Sequence, residues 1–253
     1  FDLLTAPWDA EAFTRVIRSN FDVAAESAST STWVLSNHDV VRHTTRYAGD
    51  QSGAVDLAAG AGGDLDPARG LARARAAALL VAALPGSLYV YQGEELGLPE
   101  VTGLPADAAE DPWARVEDGV VVAGRDGCRV PLPWTSRAPY FGFSDSASHL
   151  PQPEWFASCS VEAQSHDPAS TLALYRAALL ARRTLQTVER ATWLDLGPGT
   201  VAFARPNGWV SITNFGPDPL VLPDGEIVLR SDAADPGDPL AADSTAWLIV
   251  PGA

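Results

Sequence analysis

Lysine and methionine are both absent from the 253 residues. All 17 basic residues are therefore arginine, set against 32 acidic ones, for a formal charge of −15. The missing lysine reads as a GC-rich coding bias. The charge balance speaks against nucleic acid or an anionic membrane as partner, because an acidic surface repels phosphate. No apolar run reaches roughly 18 residues without a charge or breaker, so no transmembrane helix is expected. No basic segment precedes an apolar one, so no signal peptide is expected in what is present. The chain opens Phe1-Asp2-Leu3-Leu4 without an initiator. Phe is too bulky a second residue for ordinary initiator removal, and the chain is read as a piece of a longer protein, cut on its N-terminal side.

Cysteine is nearly absent too. Cys128 and Cys159 cannot build a disulfide framework, and the expectation is two reduced, buried thiols in a cytoplasmic protein. His38, His43, His149 and His166 have no HExxH or CxxC companion, so no metal site is expected, and nothing calls for a cofactor.

What is present is apolar enough to fold, 46% of residues being hydrophobic. Residues 8–24 place Phe13, Val16, Ile17 and Phe21 at helical spacing. Residues 31–36 form a buried strand around Trp33. Gly, Asp and Ala fill a loop over 49–63. Asp66-Pro67 then predicts a helix to Leu84, stopped by Pro85-Gly86, and residues 87–92 form a second buried strand. Helix, strand, helix, strand is the grammar of a parallel α/β sheet. A long segment over 98–165, dense in Pro, Gly, Trp and Asp, has the size of a functional connection. Asp167-Pro168 predicts another helix. From about Val188 short apolar runs (201–204, 209–213, 220–222, 227–229, 247–250) alternate with turns, an antiparallel β domain. The organisation is thus 1–187 in α/β texture and 188–253 in β texture.

Ser36-Asn37-His38-Asp39 lies at the end of the first strand, where parallel α/β folds bind ligands. His38 and Asp39 there can hydrogen-bond a polyol, or the segment is an Asx turn with His38 merely packed. Glu94 and Glu95 point opposite ways on an extended chain, so one is expected in a buried network and the other in solvent. Arg129, in a proline-stiffened loop, is either a clamp for carboxylate or hydroxyl groups or a surface residue. Trp113, Trp134, Tyr140, Phe141 and Phe143 either stack on sugars or pack their loop. The acidic run 107–111 reads as a solvated face.

In order and spacing, four segments go together. They are Trp33-Val-Leu-Ser-Asn-His-Asp39, Leu84-Pro-Gly-Ser-Leu-Tyr-Val-Tyr-Gln-Gly-Glu-Glu-Leu-Gly97, Arg125-Asp-Gly-Cys-Arg-Val-Pro-Leu-Pro-Trp134 and Val161-Glu-Ala-Gln164. Together they closely resemble glycoside hydrolase family 13, the α-amylase superfamily, in its α-glucosidase and oligo-1,6-glucosidase branch. The resemblance implies the last part of a (β/α)8 TIM barrel, about strands seven and eight with their helices and loops, followed by a small antiparallel β-sandwich. It implies that Asp39 is the third catalytic carboxylate, binding sugar hydroxyls, and that His38 bonds the same glucose. Arg129 would sit in the glucose subsite and Arg42 would line the cleft. Arg-Val-Pro-Leu-Pro-Trp departs from the commoner Arg-Thr-Pro-Met-Gln-Trp but leaves Arg129 in place. The family's nucleophilic Asp and acid Glu follow strands four and five, which the resemblance places before Phe1. The activity implied is retaining hydrolysis of terminal glucose from short oligosaccharides such as maltose or isomaltose. A glucosyl mutase or transglycosylase would share every motif, and a non-catalytic relative is the rival of another class.

Overall fold

The two long helices at the start of the chain are set by aspartate caps. The computed structural model describes residues 2–52, 64–137 and 139–252, so the 49–63 loop read from the sequence lies, from residue 53 on, outside the described residues. Asp9 accepts from the Ala12 N–H and opens α1 (Ala10–Glu26), which buries Phe13 and Ile17 on one face. The strand after it, β1 (Thr32–Val34), leads through a short loop to one turn of helix, α2 (His43–Arg46). Asp66 accepts from the Arg69 N–H and, with Pro67 in the first turn, opens α3 (Pro67–Ala83). The second strand, β2 (Ser87–Tyr89), pairs parallel with β1 in the register Thr32↔Ser87, Trp33↔Leu88, Val34↔Tyr89. Gly70 is what lets α3 lie against α2: a Cβ there would stand 2.3 Å from the Thr44 carbonyl oxygen.

The long connection is largely irregular. It carries one antiparallel hairpin, β3 (Arg115–Glu117) with β4 (Val120–Ala123), and two single helical turns, α4 (Phe156–Cys159) and α5 (Val161–Gln164). A small core of its own, including Leu96, Leu98, Val130, Leu150 and Phe156, holds it together. The helix expected from Asp167-Pro168 begins later than that signal, as α6 (Thr171–Leu185). Ser170 is its cap, accepting from the Ala173 N–H, while the Asp167 carbonyl accepts from Ser170 in a preceding turn.

The remaining strands are β5 (Thr192–Leu194), β6 (Thr200–Ala204), β7 (Trp209–Asn214), β8 (Glu226–Arg230) and β9 (Ser244–Ile249). They form one five-stranded sheet, order β5-β6-β7-β9-β8, with every pair antiparallel. The run 220–222 contributes only an isolated bridge, Leu220↔Leu240, and so no second full sheet forms over the first among the described residues. The reason lies in what covers each face. Val201, Phe203, Trp209 and Trp247 face the helices and join the main core with Phe13, Trp33, Leu79 and Leu80. Ala202, Val210, Ile212 and Leu248 face the other way, under the loops that bring Leu220, Leu222 and Leu240. Trp247 Nε1 donates to the Leu79 carbonyl and Thr245 Oγ1 to that of Ala76, so the sheet bonds directly to α3.

Two buried arginines close the C-terminal end of α3, where the last carbonyls of a helix lack partners. Arg182 donates to the carbonyls of Ala82, Leu84 and Gly86, and Arg205 to that of Ala83 at 2.8 Å. They join α3, α6 and the sheet just behind β2, leaving the opposite, C-terminal ends of β1 and β2 to carry the site. No helix among the described residues is long and apolar enough to cross a membrane.

Candidate active site

Past the end of β1 the chain buries Leu35 and Ser36, then turns outward. Asn37 Oδ1 accepts the Asp39 N–H at 2.8 Å, an Asx turn that holds the next residues away from the core. His38 is not packed beneath it. Its side chain is 65% exposed and that of Asp39 47%, with His38 Nε2 3.4 Å from Asp39 Oδ2.

The other wall comes from a one-turn 3-10 segment, Asp126–Arg129. Arg129 Nε donates to the His38 carbonyl at 2.9 Å and Nη2 approaches Asp39 Oδ1 at 3.4 Å. A second arginine reaches the same oxygen, Arg125 Nη1 donating to it at 2.9 Å. Arg125 is held in turn by Asp111, through Nε at 3.0 Å and Nη2 at 2.8 Å. Hydrogen bonds from Arg125 keep the Asp111 carboxyl well below the usual carboxylate range, and the same bonds raise Arg125 above its ordinary value. Asp111 therefore belongs to no solvated acidic face. It is buried, while Asp107 and Glu110 of the same run are exposed.

His38, Asp39 and Arg129 are thus brought together. Arg42 is placed elsewhere, 3% exposed beneath them. Its Nη1 donates to the Gln92 carbonyl and Nη2 to that of Cys128, both at 2.8 Å, and its N–H to Glu100 Oε2 at 2.9 Å. Instead of lining an open cleft, it ties together the loop after β1, the loop after β2 and the segment leading to Arg129. Glu94 and Glu95 separate as expected, but within a run of turns over 92–97 rather than on an extended chain. Glu94 is buried beside His43, whereas Glu95 is partly exposed and accepts the Gly93 N–H. Of the loop aromatics, Phe141 packs edge-on against Phe156, Trp113 lies over the Arg125 guanidinium at 4.1 Å, and Trp134, Tyr140 and Phe143 are exposed. Both cysteines are free, and burial pushes the Cys128 thiol up to about 12.

Arg125 and Asp111 are the site residues that motif reading passed over. Arg125 stood inside a quoted motif, four positions before the arginine that drew attention, and Asp111 stood in an acidic run. The signal for both is a spacing no local rule reads, since Arg125 meets Asp39, and Asp111 meets Arg125, only in the folded loop.

Arranged this way, the open side of the site offers one carboxyl group with two arginines on one oxygen and an imidazole beside the other. That set can accept from and donate to adjacent hydroxyls of a neutral polyol. Residues 2–191 match the family model described as alpha amylase, catalytic domain. A probable α-glucosidase of Rhizobium meliloti is 37% identical over 151 residues, 60% of this chain and 24% of that protein. An oligo-1,6-glucosidase of Saccharomyces cerevisiae is 27% identical over 179 residues, 60% of this chain and 27% of that protein. Among solved structures, the α-glucosyl transfer enzyme XgtA superposes with a TM-score of 0.70 at 30% identity, over 98% of this chain and 45% of that one. The chain therefore spans about a quarter of those curated relatives and just under half of the solved structure.

Proposed function

The chain belongs to the α-amylase family, and on that premise we propose that it is the C-terminal part of an α-glucosidase-type retaining glycoside hydrolase. In this reading β1 and β2 are the seventh and eighth strands of a (β/α)8 barrel, and the β domain begins near residue 188. Asp39 accepts from two adjacent hydroxyls of the terminal glucose of a short α-glucoside such as maltose or isomaltose. His38 bonds the same sugar, and Arg129 walls the subsite. Attack at the anomeric carbon and protonation of the leaving oxygen fall to two further carboxyl groups about 5 Å apart, on a longer polypeptide that includes this chain. Asp39 contributes by stabilising positive charge that develops on the ring in the transition state.

One observation carries the reading: the convergence of Arg129 on the His38 carbonyl and on Asp39 Oδ1, across some ninety residues of sequence, at the C-terminal end of a parallel strand pair. In α/β barrels that is the end where chemistry is done. The two free thiols support a reducing, cytoplasmic setting as part of the same proposal.

A glucosyl mutase or transglycosylase is the second reading, favoured by the likeness to an α-glucosyl transfer enzyme. The test is the longer polypeptide incubated with maltose, its products followed by NMR. Free glucose released first as the α-anomer supports retaining hydrolysis. Isomeric disaccharides formed without free glucose support a mutase, and longer glucosides with one glucose released for each glucosyl transferred support a transglycosylase. Intact maltose, together with no cleavage of a nitrophenyl α-glucoside, overturns both and favours a non-catalytic relative.

A further inference from the structure

Two alanine-rich helices leave a gap behind β2. Ala78 and Ala82 of α3 and Ala178 of α6 line a small cavity whose other walls are largely aliphatic. Two of the lining side chains are both polar and buried, Glu94 in the turns after β2 and Tyr175 on α6, at 4% and 7% exposure. Neither Glu94 Oε1 nor the Tyr175 hydroxyl has a hydrogen-bond partner among the described residues, so they do not bond each other. His43 Nδ1, 3.8 Å from Glu94 Oε1, is already engaged by Ser36 Oγ. Burial pushes Glu94 up to about 8 and raises Tyr175 well above its ordinary value, so both keep their protons at neutral pH. An orphaned buried polar atom is costly, and two on the wall of one cavity call for a shared partner. The size of the cavity selects that partner. About 10 Å³ is open to the centre of a water-sized sphere, which admits a water molecule and is far too little for an organic ligand.

We propose that Glu94 and Tyr175 form a binding site for one buried water molecule, bonded to Glu94 Oε1 and to the Tyr175 hydroxyl at once. The water donates to Oε1 and accepts from the phenol, or the reverse, since a protonated carboxyl and a phenol can each donate and accept. Two partners are the fewest that hold a buried water, so each is needed. Tyr89 and Leu179 are the most exposed of the lining residues, and water enters on their side. The bridge ties α6 to the turns after β2, next to Gln92, whose carbonyl holds Arg42. It stands apart from the sugar-binding reading and does not depend on it.

The experiment is a crystal structure of the longer polypeptide at a resolution that shows ordered solvent. One solvent peak is expected within about 3.2 Å of both Glu94 Oε1 and the Tyr175 hydroxyl oxygen. Tyr175→Phe should lose the peak, and Glu94→Gln, which presents the same shape and an amide, should keep it. A wild-type structure without the peak overturns the proposal. So does a direct Glu94–Tyr175 hydrogen bond, an upstream side chain filling the space, or a peak unmoved in Tyr175→Phe. Solution measurements check the same site without a crystal. Oxygen-17 relaxation dispersion should count one fewer long-lived water in Tyr175→Phe than in wild type, and an equal count overturns the site. In denaturant unfolding, Tyr175→Phe and Glu94→Met should be coupled by roughly 2-fold or more in the unfolding constant, the double variant losing less than the sum, because either change alone releases the water. Independent effects would mean that no shared water joins the two side chains.

Discussion

Glu94 Oε1 lies 3.8 Å from His43 Nδ1, deep beneath the site, and takes no hydrogen bond from any described residue. The imidazole nitrogen is already engaged, 2.8 Å from Ser36 Oγ, which also accepts the His43 N–H at 3.0 Å. Two ionisable groups therefore sit side by side without neutralising each other. Burial pushes Glu94 up to about 8, and it drives His43 down to about 3, with Arg46 and Arg42 adding to the second effect. Burial also raises Glu100, under Arg42, to about 7. At neutral pH the pair is a neutral acid beside a neutral imidazole, a cheaper arrangement in a dry core than an unbonded ion.

The pH dependence of stability follows. A carboxyl raised on folding stabilises fully below its unfolded value of 4.5 and loses that contribution as pH rises through 7 for Glu100 and 8 for Glu94. His43 acts in the opposite sense, its contribution complete above 6.5 and lost as pH falls through about 3. Between pH 6.5 and 8 only the carboxyls change. The thermal midpoint should fall across that window, and Glu94→Gln, shaped like the protonated acid, should flatten the fall. A midpoint that rises with pH there, followed by circular dichroism, contradicts the assignment.

Arg42 gives a second prediction, of stability rather than activity. Removing its guanidinium takes the donor from the part-buried Gln92 carbonyl and leaves the buried Cys128 carbonyl only the Tyr91 hydroxyl at 3.1 Å, at a cost of about 1–3 kcal/mol in all. Gly93 offers an independent probe. Its φ of +92° already favours glycine, and a Cβ there would stand 2.5 Å from Arg42 Nη1. Both Arg42→Ala and Gly93→Ala should lower the midpoint of denaturant unfolding. The double variant should lose less than the sum, because each disturbs the same contact. Full additivity would mean that the two act separately.

How much of this could be read before folding depends on range. Asp66-Pro67 and Asp167-Pro168 are the same helix-opening signal, yet only the first opens a helix at once. In the second, Asp167 accepts the Ala169 and Ser170 N–H groups in a turn of its own, and Ser170 takes over the cap. Local chemistry permits either outcome, and packing of α6 on α3 decides. His38, Asp39 and Arg129 stood out because their motifs are short and ordered along the chain. Asp111 did not, because an aspartate in an acidic run looks solvated until a distant arginine is folded onto it. Arg42 was readable as a residue near the site. That it is buried was not, since helical and strand periodicity do not distinguish an arginine aimed at carbonyls from one aimed at solvent.

Asp39 carries the third prediction. In the longer polypeptide Asp39→Asn keeps the shape and removes the charge that faces hydroxyls and a cationic ring. A fall in kcat on the order of 10³-fold is expected, the size seen when a transition-state stabiliser is removed. Retention of more than half the activity would remove Asp39 from the proposed site.

Arg129 carries the fourth. It uses two nitrogens on two different acceptors, the His38 carbonyl and Asp39 Oδ1, a geometry a single ammonium cannot copy. Arg129→Lys should therefore reduce kcat/KM for maltose or a nitrophenyl glucoside. Arg137, exposed a short way along the same loop, is the control and should be near neutral when replaced. Equal effects at the two positions would return Arg129 to a surface role.

The last prediction concerns residues 1–253 as a separate polypeptide, which should show no measurable glucosidase activity. The first ground is chemical. Asp39, His38 and Arg129 can orient a sugar, but retaining hydrolysis needs a nucleophile and an acid about 5 Å apart across the scissile bond. Glu94 and Glu95 cannot serve. Glu94 is buried against His43 and neutral at pH 7, and Glu95 is turned back onto the Gly93 N–H. Positioning without proton transfer or attack accelerates little. The second ground is structural. Among the described residues the parallel pair β1–β2 forms a sheet of its own, so each strand has only the other as neighbour there and its outer edge is open to association. Tyr89, the last residue of β2, is 48% exposed, an aromatic left facing solvent at the C-terminal end of the parallel strand pair. The five-stranded sheet does not share this weakness at its centre, where β7 and β9 each have neighbours on both sides. Light scattering should accordingly show the separate chain associating, while a chromogenic α-glucoside remains uncleaved beside an active longer polypeptide. Turnover approaching that of the longer protein would place the attacking and protonating groups inside residues 1–253, and the roles assigned to His38, Asp39 and Arg129 would have to be redrawn.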